Sequence, residues 1–255
     1  MKVCELFAAL EERIPRELSC SWDNDGLMVC GDGEREVRRV LVALDVTEEI
    51  AKRAIEGGYD LILSHHPMIF HALKAVNPYD TVAKKAILLL RAGVSVMSFH
   101  TRLDAVAGGV NDTLAALLGL KDTEPFGNAG EEIGRIGTLA SPMPLTEFAK
   151  TVRDAIGAPS VLVSGATESA YRVAVLGGSG SDDVSAAIRA GADTYLTGEL
   201  GHHYLTDAPE RGINLIAGGH FYTENPICEV LSRMVLEIDP SLSVDTASSN
   251  PVLTV

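Results

Sequence analysis

Several features that would place a chain in a functional class at once are missing from this 255-residue sequence. No apolar run has the length that a membrane span needs, and the first residues, Met1 to Glu5, lack the pattern of a signal peptide. Only four cysteines occur, and they are scattered without a Cys-x-x-Cys pair. Neither a disulfide framework nor a cysteine-rich zinc site is therefore indicated, and we expect a cytoplasmic protein with no membrane association.

Basic residues are also in short supply. The chain has 21 Lys and Arg residues against 35 Asp and Glu residues, which gives a formal net charge of −14 at pH 7. This charge argues against nucleic acid as a partner, and it repels polyanionic substrates unless bound cations reverse the local field. Aromatic residues are few, and the only Trp, Trp22, lies in a polar turn from Ser21 to Leu27. The turn is typical of a surface loop with a packed indole and does not by itself indicate chemistry.

Short apolar segments that alternate with helical patterns make up most of the chain, which is 46% hydrophobic. This alternation predicts an α/β fold with a mostly parallel sheet. A polar, glycine-containing stretch near residues 123–132 suggests a boundary, so we predict one domain over residues 1–125 and a second over residues 126–255. Residues 212–255 are expected to pack back on the first domain, with the tail after Ser241 as an added edge strand.

The two halves of the chain resemble each other, which indicates an internal duplication. Arg39-Val40-Leu41-Val42 in the first half matches Arg172-Val173-Ala174-Val175 in the second. A helix that ends near a glycine follows in both halves, and the strand Leu61–Ser64 then matches Thr194–Thr197. The first of these two strands runs directly into His65-His66, before Pro67 stops it.

The next predicted strand of each half ends in a histidine followed four residues later by a carboxylate: His100-x-x-x-Asp104 in the first half and His220-x-x-x-Glu224 in the second. Ligands of α/β proteins bind beyond the carboxyl ends of strands. With pseudo-twofold packing, the strand ends of both halves would face one crevice. The candidate site then consists of His65, His66, His100, Asp104, His220 and Glu224.

Imidazole and carboxylate ligands together suit divalent zinc, iron, manganese, nickel or cobalt. Because neighbouring residues of a strand point to opposite sides, His65 and His66 are expected to bind one each of a pair of ions. Such a pair needs a bridging ligand, and Glu224 has the reach for it. The two ions would lower the pKa of a shared water, so that a bridging hydroxide becomes available as a nucleophile.

Three roles are open to His100: it is a sixth ligand, it orients one of the other ligands, or it is a general acid/base. We favour a catalytic role for His100 over ligation, because five ligands and solvent already fill a hydrolytic two-metal site.

Polar residues in this sequence also have structural interpretations that involve no chemistry. The six residues could be ordinary caps at strand ends. His202 and His203 are explained by the start of a helix. Gly177–Asp182 resembles a phosphate cradle, but without a P-loop Lys or a GxGxxG match a tight turn is preferred.

Together the motifs resemble, in order and over essentially the whole chain, the GTP cyclohydrolase I type 2 homologue family, also called NIF-three-like. The segments that carry the resemblance are Trp22-Asp23-Asn24-Asp25-Gly26-Leu27, Ser64-His65-His66-Pro67, His100-x-x-x-Asp104, Thr197-Gly198-Glu199 and Gly219-His220-x-x-x-Glu224. The resemblance implies two related, intertwined α/β domains with a dinuclear metal site in the cleft between them, and a toroidal homohexamer. It also implies that His65, His66, Asp104, His220 and Glu224 bind the metals, with Glu224 shared. The short middle segment matches the compact form of the family.

The activity that the resemblance implies is hydrolytic opening of the guanine imidazole ring of GTP, with release of formate. A metal-dependent hydrolase is thus the first hypothesis, with His100 and Glu224 as its catalytic residues. The alternative is a non-catalytic metal-binding protein that stores, delivers or inserts ions. An interaction scaffold with structural metals ranks last, because structural sites are normally closed whereas this ligand set leaves open positions.

Overall fold

The computed structural model describes residues 1–252, which form two compact units. The first unit contains Met1–Leu103 and Ile227–Pro251, and the second contains Asp104–Pro226. The sequence had suggested a division near residue 125 instead. Two helices account for the difference, as Val110–Leu117 packs on strands of the second unit and Ile227–Ile238 packs on strands of the first.

Strands and helices alternate through most of the described residues. The strands are β1 Gly26–Val29, β2 Arg39–Ala43, β3 Leu61–Ser64, β4 Ser95–Ser98, β5 Lys121–Asn128, β6 Glu131–Pro144, β7 Leu162–Ser164, β8 Ser169–Leu176, β9 Thr194–Thr197, β10 Asn214–Ala217 and β11 Ser243–Ala247. The helices are α1 Val3–Arg13, α2 Glu48–Glu56, α3 Thr81–Ala92, α4 Thr101–Ala105, α5 Val110–Leu117, α6 Leu145–Ile156, α7 Val184–Arg189, α8 His202–Arg211, α9 His220–Glu224 and α10 Ile227–Ile238. Short 3-10 turns lie at Arg16–Leu18 and Ser181–Asp183.

The first unit has a five-stranded sheet in the order β1-β4-β3-β2-β11. All neighbouring strands are parallel except β1, which pairs antiparallel with β4. Strand β11 lies at the edge, as expected for the tail, although residues 253–255 of that tail lie outside the described residues. Thr47 and Asp80 cap the helices α2 and α3 that connect the central strands.

The second unit has a six-stranded mixed sheet in the order β5-β6-β8-β9-β10-β7. The neighbouring strands β8, β9 and β10 pair in parallel, whereas the β5–β6 hairpin pairs antiparallel with β8 and β7 pairs antiparallel with β10. The polar stretch near residues 123–132, expected to be a boundary, forms this hairpin. Most of β5 is exposed, which explains its polar sequence.

The central strands of the two sheets correspond. In each unit three parallel strands run side by side in sequence order, and the residues of the middle strand pair with both neighbours in the same register. All residues of both middle strands, β3 and β9, are buried, and aliphatic side chains around them form the cores of the units. The α/β class is therefore confirmed. No helix among residues 1–252 is both long and apolar enough to span a membrane.

Candidate metal centre

The end of β3 in the first unit delivers two histidines into contact with oxygen acceptors. His65 is fully buried, and its Nδ1 atom lies 2.9 Å from the carbonyl oxygen of Phe99. His66 is partly buried, and its Nδ1 lies 2.8 Å from Oδ1 of Asp45. Because these oxygens accept, each Nδ1 donates, which leaves each Nε2 as the nitrogen that could bind a metal.

The third imidazole of this unit follows β4. His100 Nδ1 donates to Oδ1 of Asp23 over 2.9 Å, so it has the same tautomer as the other two rings. Potential ligand atoms of His65, His66 and His100 all lie within 4.8 Å of one another. Contrary to the alternation expected of a strand, the rings of His65 and His66 are only 5.0 Å apart. The alternation does not apply because β3 already ends at Ser64.

Asp23 orients His100 and was not expected to have a role. Its second carboxylate oxygen accepts hydrogen bonds from the backbone N–H and the hydroxyl of Thr101, over 3.0 and 2.6 Å. Burial opposes ionisation of Asp23, but the hydrogen bonds from His100 and Thr101 outweigh it and hold the pKa of Asp23 well below its ordinary value. Asp23 is therefore a fixed anion that stabilises the imidazole next to it.

A second acidic residue of the same loop supports this arrangement. Asp25 is buried and accepts a hydrogen bond from the Nε atom of the fully buried Arg102 over 2.9 Å, and one from the backbone N–H of His100 over 3.2 Å. The loop before β1 and the segment after β4 are thus joined by charge-assisted hydrogen bonds. The polar turn around Trp22 is consequently a supporting element of the histidine cluster, contrary to the expectation from sequence.

In the second unit, helix α9 presents the His-x-x-x-Glu motif. His220 Nε2 lies 3.0 Å from Oε2 of Glu224, one helical turn later, and His220 Nδ1 lies 3.3 Å from Oε1 of Glu199. Glu224 is buried, whereas Glu199 at the end of β9 is exposed. Glu199 occupies the place in the second unit that the first unit gives to His65-His66.

The glycine turn after β8 makes room for this pair. Gly178 has a φ of +68°, and a Cβ atom there would lie 2.1 Å from Oε1 of Glu224 and 3.1 Å from Nε2 of His220. The N–H of Gly178 donates to Oγ1 of Thr223 within α9. The preferred interpretation of Gly177–Asp182 as a tight turn therefore agrees with the structure, and its glycines are needed because the carboxylate packs against them.

Asp104 lies on α4, is buried and is assigned to the second unit. Its backbone carbonyl accepts a hydrogen bond from Nδ2 of the buried Asn111, whose Oδ1 accepts from the N–H of Gly177. Asn111 is a further residue that sequence reasoning missed, since an Asn inside an apolar helix carries no recognisable signal. His202 and His203 are exposed at the start of α8, as expected for residues that begin a helix.

The residues present fit a metal in chemical type. In the first unit, three imidazoles each donate Nδ1–H to an oxygen, which is the arrangement that orients histidine ligands of metals. In the second unit, a buried carboxylate lies 3.0 Å from an imidazole nitrogen, and a glycine turn leaves space beside it. Borderline divalent ions prefer such nitrogen and oxygen donors.

These features define a class: an α/β protein of two related units whose strand ends carry imidazole and carboxylate groups able to hold metal ions. Residues 1–251 match the family model Duf34/NIF3 (NGG1p interacting factor 3), and the chain belongs to this family. The resemblance seen in the sequence is thereby confirmed.

Relatives and solved structures agree with this assignment. The chain is 34% identical to the GTP cyclohydrolase 1 type 2 homolog of Clostridium perfringens, over 93% of this chain and 92% of that protein. Among solved structures, it resembles a Staphylococcus aureus protein with a TM-score of 0.89 and 27% identity, over 100% of this chain and 99% of that one. Reduced HcgD from Methanocaldococcus jannaschii has a TM-score of 0.85 and 26% identity, with 96% and 97% covered.

Proposed function

We propose that this protein is a dinuclear metal-dependent hydrolase. The five residues that would hold its two divalent ions are His65, His66, Asp104, His220 and Glu224, with Glu224 shared. One observation carries the proposal: the three clustered imidazoles of the first unit have the same orientation, in which each donates its Nδ1–H to an oxygen. Buried histidines in an ordinary core need no such uniform tautomer.

The chain's own residues have distinct roles in this proposal. When bound, the ions would supply Lewis acidity, which makes a water molecule a nucleophile near neutral pH. His100 is the general acid/base: Nδ1–H stays bonded to Asp23, so Nε2 is the atom that takes up or delivers a proton. The buried Glu224 holds negative charge where the cations bind, and Gly178 leaves space for its carboxylate.

GTP is the substrate to test first, with opening of the guanine imidazole ring and release of formate. Support comes from the Clostridium perfringens relative, whose name refers to GTP cyclohydrolase. The net charge of −14 would repel a triphosphate, and divalent cations at the site would offset this repulsion. We further propose that the two units arose by duplication and that the chain assembles as a homohexamer.

The test combines elemental analysis with a turnover assay. Protein purified without added metal is expected to contain about two ions per chain and to release formate from GTP. Glu224→Ala should lower the metal content and abolish formate release while the circular dichroism spectrum is retained. His203→Ala, at an exposed histidine outside the clusters, is the matched control and should match the wild type. Less than one ion per chain in the wild type would contradict the proposal.

The second candidate function is metal storage, delivery or insertion without catalysis. The family description favours it in one respect, because it names an interacting factor rather than a reaction. This function predicts bound ions that exchange readily and no turnover of GTP or phosphoesters. Elemental analysis that finds two ions, together with an absence of formate, would select it over the hydrolase.

A further inference from the structure

Three aromatic rings of the first unit form a corner beside the histidine cluster. The ring centroids of Trp22 and Phe70 are 6.2 Å apart, those of Trp22 and His100 are 6.2 Å apart, and those of Phe70 and His100 are 6.1 Å apart. The interplanar angles are 68°, 78° and 90° in the same order. The three rings are therefore nearly perpendicular to one another, and we call them the aromatic corner.

The two loops that carry the corner are tied to fixed parts of the unit. The amide side chain of Asn24 donates to the backbone carbonyl of Ile69, which links the loop of Trp22 to the loop of Phe70. Asp23, next to Trp22, holds His100 through its carboxylate. Hydrogen bonds of neighbouring residues thus fix the positions of the rings, which lowers the entropy that binding would cost.

The corner exposes apolar surface that the fold does not use. Trp22 is 55% exposed and Phe70 is 41% exposed, although an indole gains most from burial. An exposed apolar side chain such as that of Tyr79 is common on protein surfaces and by itself needs no explanation. His100 connects the corner to the candidate metal centre, because its ring is also 5.3 Å from that of His65.

We propose that the aromatic corner binds the planar heteroaromatic ring of a nucleobase. A flat ring that stacks on the indole of Trp22 would be steeply inclined to the rings of Phe70 and His100, and tilted or perpendicular rings are a favoured geometry of aromatic contacts. Because Nδ1–H of His100 is donated to Asp23, its Nε2 can accept a hydrogen bond from a ring N–H or an exocyclic amino group of the base. The inference rests on the proposed function, for which it names the part of the substrate that this unit recognises.

The single Trp of the chain makes a direct measurement available. Trp22 fluorescence is followed while guanosine is added to the full-length protein after removal of metal with EDTA, so that no turnover occurs. Guanosine is expected to quench the emission with a saturable curve. Ribose 5-phosphate and inorganic triphosphate, which lack a base, should have no effect. Choline tests the alternative of a cation held by the aromatic faces, and quenching by choline but not by guanosine would overturn the inference.

Variants measured by calorimetry separate stacking from general effects. Trp22→Ala should weaken guanosine binding about tenfold, and Phe70→Leu should weaken it less, since base–aromatic stacking contributes strongly per base. Tyr79→Ala removes a more exposed aromatic side chain outside the corner and should bind like the wild type. Equal affinity of Trp22→Ala and the wild type would overturn the inference.

The two proposals can fail separately. One outcome is that guanosine binds the metal-free protein with an affinity that depends on Trp22, while the metal-loaded protein releases no formate from GTP. In that case the hydrolase proposal fails and the nucleobase site stands. If formate is released but Trp22→Ala leaves binding and KM unchanged, the nucleobase site fails alone. If both proposals hold, Trp22→Ala should raise KM more than it lowers kcat, because the stack contributes equally to substrate and transition state.

Discussion

The two units use the same strand framework but end their middle strands differently. In the first unit, β3 runs into His65-His66, whose rings are held by oxygens of other loops. In the second unit, the corresponding β9 runs into Gly198-Glu199, and Glu199 contacts the imidazole of His220. One strand end is therefore rich in imidazole nitrogens, and the other carries a carboxylate.

The framework beneath these ends is almost identical. The Asp60 carboxylate, just before β3, accepts hydrogen bonds from the N–H groups of Arg38 and Arg39 over 2.9 and 3.0 Å. The Asp193 carboxylate, just before β9, accepts in the same way from Tyr171 and from Arg172, the latter over 2.7 Å. Each aspartate thus fixes the start of the neighbouring strand.

The two units keep the same residue type before the middle strand and differ in the residues that follow it. The aspartates at the starts of the strands keep one geometry in both units, since each joins the start of its own strand to the neighbouring strand in the same register. The residues after the strands are free of that constraint and can differ in chemistry. Imidazoles follow the middle strand of the first unit and a carboxylate follows that of the second, and both are donor types that borderline divalent ions accept.

The largest effect is expected from filling the glycine turn of the second unit. Gly178→Ala places a Cβ atom 2.1 Å from the Glu224 carboxylate and should disrupt its contact with His220. We expect a loss of about 3 kcal/mol in the free energy of unfolding, of which about 1 kcal/mol comes from the positive φ. Urea unfolding followed by circular dichroism measures the loss, and elemental analysis should show a reduced metal content.

Gly157→Ala is the matched control for this change. Gly157 lies in the same unit with the same φ of +68°, but nothing lies within 4 Å of the Cβ atom that alanine would add. It should lose only the backbone contribution of about 1 kcal/mol and keep its metal. Equal unfolding free energies for the two alanine variants would show that the turn is not shaped by Glu224.

Removal of either framework aspartate should have the next largest effect. Asp60→Ala and Asp193→Ala each leave backbone N–H groups without their charged acceptor, which should cost about 2 kcal/mol. Asp193 also accepts a hydrogen bond from the hydroxyl of Thr194 over 2.7 Å, so Asp193→Ala should lose slightly more unfolding free energy. Urea unfolding of both variants, with Trp22 fluorescence for the first unit and circular dichroism for the whole chain, tests the equivalence. A difference above about 1 kcal/mol would contradict it.

Asp23→Asn should have a smaller effect that depends on pH. The pKa of Asp23 is lowered in the folded protein, although burial alone would raise it, because His100 and Thr101 donate hydrogen bonds to the carboxylate. A lowered pKa stabilises the fold above the unfolded value of about 3.9, and this contribution is lost as the pH falls through the folded pKa. We expect Asp23→Asn to cost about 1.5 kcal/mol at pH 7.

The difference in the free energy of unfolding between wild type and Asp23→Asn should shrink as the pH falls below about 4. Urea unfolding of EDTA-treated protein at several pH values measures it. Asp32→Asn, at an exposed aspartate of the same unit, is the control and should give no such pH dependence. A difference that does not shrink below about pH 4 would mean that the hydrogen bonds from His100 and Thr101 do not hold Asp23 as an anion.

The sequence predicted the strands better than it predicted the residues that hold the histidines in place. The bounds of β3 and β9 agree with the expected Leu61–Ser64 and Thr194–Thr197, because short apolar runs followed by glycine or proline define strands well. The grouping of His65, His66 and His100 was also expected. Asp23 and Asp45 were missed, since an aspartate in a polar loop has the same sequence pattern whether it faces solvent or an imidazole. Such contacts depend on tertiary structure.

The smallest effect is expected at the histidines that lie outside both clusters. His203 is exposed at the start of α8, and its ring packs against that of Tyr204 with centroids 4.2 Å apart. His203→Ala should change the free energy of unfolding by no more than about 0.5 kcal/mol, as is usual for surface positions, and leave the metal content unchanged. Isothermal titration with Zn²⁺ would detect a hidden role. A clear loss of Zn²⁺ affinity would mean that a further imidazole of the second unit takes part in binding, and the contrast between the two units would be weaker.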